Sequence, residues 1–552
     1  MNKKLEQKNA FNFNNLLKNI FFIISVSTFT FLLMHIESIK QTILTVFCSF
    51  LLTCFITFKF NIRQKIFNDF NIKHSIISIL FALATTFAIA QIFYTYHIVV
   101  EPIRTFFLNN PIPDSLIMFL LILLSLYAVY SFYYFLISRF LPKSITFFKG
   151  LEKNEKNYLI ISTCIFGLAI IIIYSITNVF YAPKINGEVQ AFDVIYSSDT
   201  GAHGLLNDYI DITAIENDLR QPLFGVFSIP FSIIAYSIGN LFGQFGNSYF
   251  ILIAIIQIFL MNIISILISR MMNLKKIEQT LFMIFYTVTY PFILFSFNLE
   301  QYVFGMFWFM CFLYSYIKHQ KGSKFCFIAS VGSLLTNGFF FPFLTTGRKI
   351  KQWIKDFAST AFAFISGIIV FGQLPVILNL FSSGINHVSR YMVKDTSFFN
   401  IICQYTNFIT NCFIAPFKTV TEERLGHISF QLAYADTLNI IGLLILILVV
   451  IGFILNRKDK FAKICFSWVI FSIVLLIILG YGTRENGLIL YSLYFNWAFV
   501  GLIFMLLKKL LQKKKKIFII ISVILIVLLL IFNINGLIDL VQFGLQNYDH
   551  VV

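Results

Sequence analysis

Long apolar runs alternate with short polar turns along this chain, and each run is about the length a helix needs to cross roughly 30 Å of hydrocarbon. The pattern predicts thirteen spans, at 18–35, 41–60, 76–97, 116–137, 159–180, 250–270, 281–299, 303–317, 358–377, 440–456, 464–482, 488–507 and 517–535. Two further apolar stretches do not read as simple crossings. Residues 226–243, VFSIPFSIIAYSIGNLFG, contain Pro and Gly, and a crossing there would turn the basic SRMMNLKKIEQ outward. A helix lying in the outer interface is expected instead. Residues 325–346, FCFIASVGSLLTNGFFFPFLTT, have basic flanks at both ends and a turn at Thr336-Asn337-Gly338. They read as two half-helices that dip in and return, which is tolerable only where protein covers them. The expected fold class is therefore an all-α, polytopic transmembrane helical bundle with an interfacial helix and a re-entrant helical hairpin.

Composition agrees. The chain has 552 residues, of which 58% are hydrophobic and 12% charged. Its mean hydropathy is +0.82, leaving too little polar surface to cover a globule. The N-terminus is basic and then apolar, like a signal, but no small-residue cleavage site precedes His35-Ile36-Glu37, so an uncleaved first span is expected.

A net charge of +17 raises the question of nucleic acid. The basic residues, however, sit in short clusters between apolar runs: KGLEKNEKN, GRKIKQWIKD, NRKDKFAK and KKLLQKKKK. Cytoplasmic loop lysines under the positive-inside rule account for them, and no nucleic-acid partner is expected. The N-terminus then lies in the cytoplasm and the large loops 181–249 and 378–439 face outward. Lys, Asn, Ile and Phe richness suggests an AT-rich genome, which points to a bacterial cytoplasmic membrane. Of eight cysteines, Cys403 and Cys412 share one loop, and whether they pair is left open by spacing alone. No GxxxxGK[ST], HExxH, GxSxG or Rossmann glycine run is present. Activity is expected at the external membrane surface, next to lipids.

Seven of the 25 acids fall between 181 and 225, accompanied by Lys184 and Arg220. Asp208, Asp211 and Glu216 read as surface or capping residues. Asp199 differs, because Ser-Ser-Asp-Thr-Gly gives it small neighbours and room for a reactant. A carboxylate at the membrane surface can take a proton from a hydroxyl or help hold a divalent cation. His203 lies one helical turn further on. Asp218 and Arg220 precede Pro222, which is expected to start the interfacial helix, and either local capping or orientation of a donor explains them.

Glu300, with Gln301, occupies a tight turn between two apolar spans. Arg484 and Glu485 sit in another short turn that leads into Tyr491, Tyr494 and Trp497. The arginine fork suits a lipid phosphate, while the tyrosines fit either an aromatic belt or an acceptor or lipid contact. His387, Arg390 and Lys394 form a second cationic patch, which generic headgroup contact explains equally well.

Asp199 followed by LRQPLFGVFSIP, an acid at 300 and Arg484-Glu485 before LILYSLYF together resemble the GT-C superfamily of polytopic membrane glycosyltransferases, which includes the protein O-mannosyltransferase and aminoarabinose transferase groups. Asp199 takes the position of that family's catalytic Asp, and Arg220-Gln221-Pro222-Leu223 that of its helix-entry motif. Thr200 stands where a second acid is common, Gln221 replaces the first proline, and four extra spans come first. The resemblance implies transfer of a sugar from a polyprenyl-phosphate-linked donor to a glycan, lipid or protein acceptor hydroxyl outside the membrane. Asp199 would be general base, Glu300 would aid it or hold Mg or Mn, and Arg484 would bind the donor phosphate. It further implies a four-span extension at 1–158, a catalytic core at 159–377, a second external loop at 378–439 and completing spans at 440–552. A flippase or transporter for lipid-linked glycans would instead need a polar cavity at mid-bilayer and internal repeats. A polymerase or ligase for such glycans would draw on external cations such as His387 and Arg390.

Overall fold

The computed structural model describes residues 13–34, 39–96, 114–190, 193–198, 220–241, 247–319, 322–340, 349–375, 378, 397–424, 426–482 and 487–549. Contacts divide the chain into two units. One comprises 1–150, 210–233 and 349–380; the other comprises 151–209, 234–348 and 381–552.

The first unit contains the helices Phe13–Leu33, Ile39–Phe60, Ile62–Phe67, Ile72–Tyr96, Asp114–Lys149 and Ile350–Val370. Hydroxyls stitch these apolar helices together, since in hydrocarbon a polar side chain must find a partner inside the protein. The Thr30 hydroxyl meets Ser49 at 2.8 Å and donates to the Val370 carbonyl at 2.7 Å. Ser25 donates to Leu124 and accepts from the Ala128 N–H. Ile76, Leu80, Leu83 and Phe87 recur at helical spacing on an exposed stripe, as a lipid-facing helix requires.

The second unit starts with Lys153–Ile176 and a small hairpin pairing Lys184–Ile185 with Glu188–Val189. Ser248–Met271 follows, then Lys276–Thr287 and Tyr290–Phe297, which are bent by 60° against each other. Next come Tyr302–Ile317, Ser323–Ser333 with a 3-10 turn at Leu335–Phe340, and Phe398–Asn411. A second antiparallel hairpin pairs Thr419–Arg424 with His427–Leu432. The helices Ile440–Asn456, Lys460–Ile473, Ser492–Leu510 and Lys515–Asn547 complete the unit. Phe224–Leu241 belongs partly to each unit and starts two residues beyond Pro222.

Among the described residues ten helices are long and apolar enough to cross a membrane, or eleven if the bent pair is one span. The protein is thus an all-α, polytopic integral membrane protein. Ten of the thirteen predicted spans coincide with these helices. The remaining three are the bent pair and two shorter helices, Tyr302–Ile317 and Ile440–Asn456. The sixteen residues of Tyr302–Ile317 cover only about 24 Å. Of the predicted re-entrant hairpin, the first half is the helix Ser323–Ser333, and residues 341–346 lie outside the described set.

Two helices form the centre of this unit. Protein buries 83% of the apolar window in Leu488–Leu510 and 72% of that in Ser248–Met271, against 28% in Lys153–Ile176. The last of these exposes Ile161, Ile165, Leu168 and Ile172, and so takes a lipid-facing place. The break in the bent pair frees backbone groups that lipid cannot satisfy. Asn533 repairs it by donating to the carbonyls of Val288 at 2.6 Å and Phe413 at 2.8 Å and accepting from the Ala415 N–H. Asn496 accepts from Tyr286 on the same bend.

Basic clusters far apart in sequence meet at one end of the unit. Arg270 donates twice to the buried Glu155, Lys276 faces Glu152 at 3.8 Å, and Lys508 faces Glu278 at 3.0 Å. The turns discussed next lie at the other end.

Candidate functional site

The turn that joins Tyr290–Phe297 to Tyr302–Ile317 carries Glu300. The sequence suggests a polar turn between spans; the structure buries it. Glu300 is 2% exposed, and Asn298 and Leu299 are equally covered. Several elements fix its backbone. Gln257 from the central helix Ser248–Met271 donates to the carbonyls of Phe295 at 2.5 Å and Asn298 at 2.9 Å. The Tyr174 hydroxyl donates to the Phe297 carbonyl, and the Leu299 N–H donates to Phe180. A carboxylate so enclosed is held in one place, as proton transfer or cation binding requires.

Tyrosines wall the turn. The rings of Tyr302 and Tyr494 meet edge-on at 5.1 Å, and Tyr302 also touches Tyr491 at 6.3 Å. Tyr491 and Tyr494 are buried, so neither faces lipid as an aromatic-belt residue would. Tyr494 is fixed twice at its carbonyl, which accepts from the indoles of Trp468 at 2.6 Å and Trp497 at 2.8 Å. Its hydroxyl has no hydrogen-bond partner and lies within electrostatic reach of Glu300. The hydroxyl fits because residue 305 is glycine: a Cβ there would stand 2.7 Å from it. An orphaned buried hydroxyl costs about 1–3 kcal/mol.

A second structured segment, 193–198, leads directly to position 199. Asp193, Tyr196 and Ser197 all adopt left-handed backbone with φ of 60°, 50° and 59°. Non-glycine residues hold such angles only when their surroundings enforce them. The enforcement comes from the second hairpin. Backbone bonds run from Tyr196 N–H to the Phe430 carbonyl and from Phe430 N–H to the Val194 carbonyl, both at 2.9 Å. Arg424 reaches Ser197 at 3.2 Å and the Asp193 carboxylate at 3.7 Å, while Gln431 donates to the Asp193 carbonyl. The Tyr196 hydroxyl meets that of Tyr290 at 2.9 Å. Burial first, then the neighbouring Tyr290 and Asp539, pushes the Tyr196 phenol well above its ordinary range.

Of the residues singled out by sequence, Glu300, Tyr491 and Tyr494 come together here. Arg220 lies half-buried in the turn before Phe224–Leu241, in the first unit. Asp199, His203, Asp218, His387, Arg390, Arg484 and Glu485 lie outside the described residues. Sequence reasoning missed Gln257, Gly305, Arg424 and the hairpin. A polar Gln257 inside an apolar run was the available signal, whereas nothing local marks the others. Cys403 and Cys412 are free, and nine residues of helical chain, about 13 Å of rise, separate them. Burial pushes both thiols up, away from the reactive thiolate. Among the described residues no group of three or more His, Cys, Asp or Glu is placed to hold a metal ion. Comparison with protein-family models, with curated proteins and with solved structures found no match to this chain.

Proposed function

We propose that this chain is a GT-C-like membrane glycosyltransferase of a bacterial cytoplasmic membrane. It would move a sugar from a polyprenyl-phosphate-linked donor to an acceptor hydroxyl on the external face, using thirteen spans with the N-terminus in the cytoplasm. The observation that carries the reading is the enclosed Glu300 turn, with an unpartnered Tyr494 hydroxyl beside it. Supporting it is the enforced left-handed backbone that delivers the chain to Asp199. A held carboxylate, as the Glu300 turn provides, is what proton transfer from an acceptor hydroxyl needs, and a cation such as Arg484 is what a departing phosphate needs. Asp199 takes the general-base role and Glu300 assists it. Glu300 is the described residue that would ligate Mg or Mn, and no step above depends on that ion.

One observation favours a transporter for lipid-linked glycans instead. The 60° break between Lys276–Thr287 and Tyr290–Phe297 is the kind of discontinuous helix that transporters place at their substrate sites. Sugar transfer from a polyprenyl-phosphate donor, comparing wild type with Asp199→Asn, separates the two. The transferase reading expects a loss of about 10²–10⁴-fold in rate. Unchanged transfer in the variant removes Asp199 as the base.

A further inference from the structure

The same end of the second unit holds a pocket that the acid-bearing turns do not use. It has a volume of about 270 Å³ and lies between the helix Phe398–Asn411, the strand ends of the second hairpin and the loop after it. Its floor is apolar, with Leu488 and Ile489 fully buried. These two belong to the 3-10 turn Gly487–Tyr491, whose last residue packs against Tyr302. Pocket and Glu300 turn therefore flank one short segment.

The walls are amides and aromatics. Asn407 is already engaged, donating to the Cys403 carbonyl and accepting from Asn439 at 2.7 Å. Tyr434, whose hydroxyl accepts from Asn400, offers an exposed ring at the rim, as does Phe417. Lys418 and Asp436 stand exposed at the mouth. Gln404 differs from all of these. It is 4% exposed, and neither its amide nitrogen nor its oxygen has a hydrogen-bond partner. Burying a whole amide without partners is unfavourable, and the neighbouring amides of Asn407 and Asn439 are both engaged.

We infer that this pocket binds a neutral saccharide ring, with Gln404 reading adjacent hydroxyls. A side chain offering a donor and an acceptor side by side matches vicinal hydroxyls, each of which both donates and accepts. Aromatic rims suit the apolar C–H face of a sugar. The volume is below the roughly 300–1,000 Å³ of drug-sized sites and suits one ring rather than a lipid tail. As the seat of the acceptor, the pocket rests on the transferase reading; as a saccharide site it stands apart from that reading.

The test is saturation-transfer NMR on the detergent-solubilised full chain, with methyl mannopyranoside, methyl glucopyranoside and methyl N-acetylglucosaminide as probes. Wild type is expected to give signal with at least one of them. Gln404→Leu, which removes the unpartnered amide, and Ala433→Trp, which fills the pocket without deleting a polar group, are each expected to weaken binding about tenfold. Gln404→Leu should also keep or raise the melting temperature, which a structural amide would not allow. No signal on wild type, or undiminished signal in both variants, overturns the inference. So does a lowered melting temperature in Gln404→Leu together with normal binding in Ala433→Trp. Glycoside binding without any sugar transfer removes the transferase reading and leaves the pocket. Full-rate transfer by an Ala433→Trp protein that no longer binds glycoside removes the acceptor role.

Discussion

The Glu300 turn and the 193–198 segment stand at one end of the second unit, yet they are built in opposite ways. Side chains of neighbouring helices hold the first from within: Gln257 and Tyr174 cap its carbonyls, and the tyrosine rings close over it. Backbone pairing with a hairpin more than 200 residues later holds the second, and forces three residues into left-handed angles. Among apolar helices every stray carbonyl must be met by a side chain, so a polar turn is made rigid from the helices themselves. Outside the helices a strand edge does the same work more cheaply, because each backbone group arrives with its own donor or acceptor.

Breaking the first arrangement should cost the most. Gln257→Leu removes the amide that donates to both the Phe295 and Asn298 carbonyls, and is expected to lower stability by about 1–3 kcal/mol in thermal melts. An unaltered melt would show that the turn holds itself. Gly305→Ala sharpens the same side of the comparison: its Cβ displaces the Tyr494 hydroxyl at an expected cost of about 1–2 kcal/mol. In a Tyr494→Phe background, where that hydroxyl is gone, most of the cost should vanish, and full cost in both backgrounds would contradict the packing described.

The smallest effect tests the hairpin-held segment. Tyr196→Phe removes the hydroxyl pair with Tyr290, worth about 0.5–1.5 kcal/mol near neutral pH. The unfolded chain releases the phenol proton near pH 10, whereas the folded protein keeps it because that phenol is raised by burial. Above about pH 10 the unfolded state thus binds fewer protons, and stability falls as pH rises. Wild type should lose more melting temperature than Tyr196→Phe between about pH 9 and 11. Parallel losses would mean that Tyr196 is not held neutral.

Much of this architecture is written locally in the chain. Apolar runs of spanning length gave ten of the helices, and an isolated charge between the bent pair and Tyr302–Ile317 marked Glu300, because lipid leaves few tolerable places for a carboxylate. The bend at Val288-Thr289 was not legible, since Asn533 repairs it from the far end of the sequence. Nor was the hairpin at Thr419–Leu432, which read as part of a loop because its apolar positions pack on Val194–Tyr196 rather than on a local partner. The Gln404 pocket escaped for the same reason: its meaning lies in the partner that Gln404 lacks, and only the folded chain displays that.

The central claim is that Asp199 and Glu300 serve one reaction. A double-mutant cycle in sugar transfer from a polyprenyl-phosphate donor tests it most directly, with Asp199→Asn, Glu300→Gln and the double variant compared in kcat. If the two carboxylates act as a unit, each single change slows transfer by about 10²–10⁴-fold and the double variant is no slower than the worse single. Losses that multiply in the double variant would contradict the account.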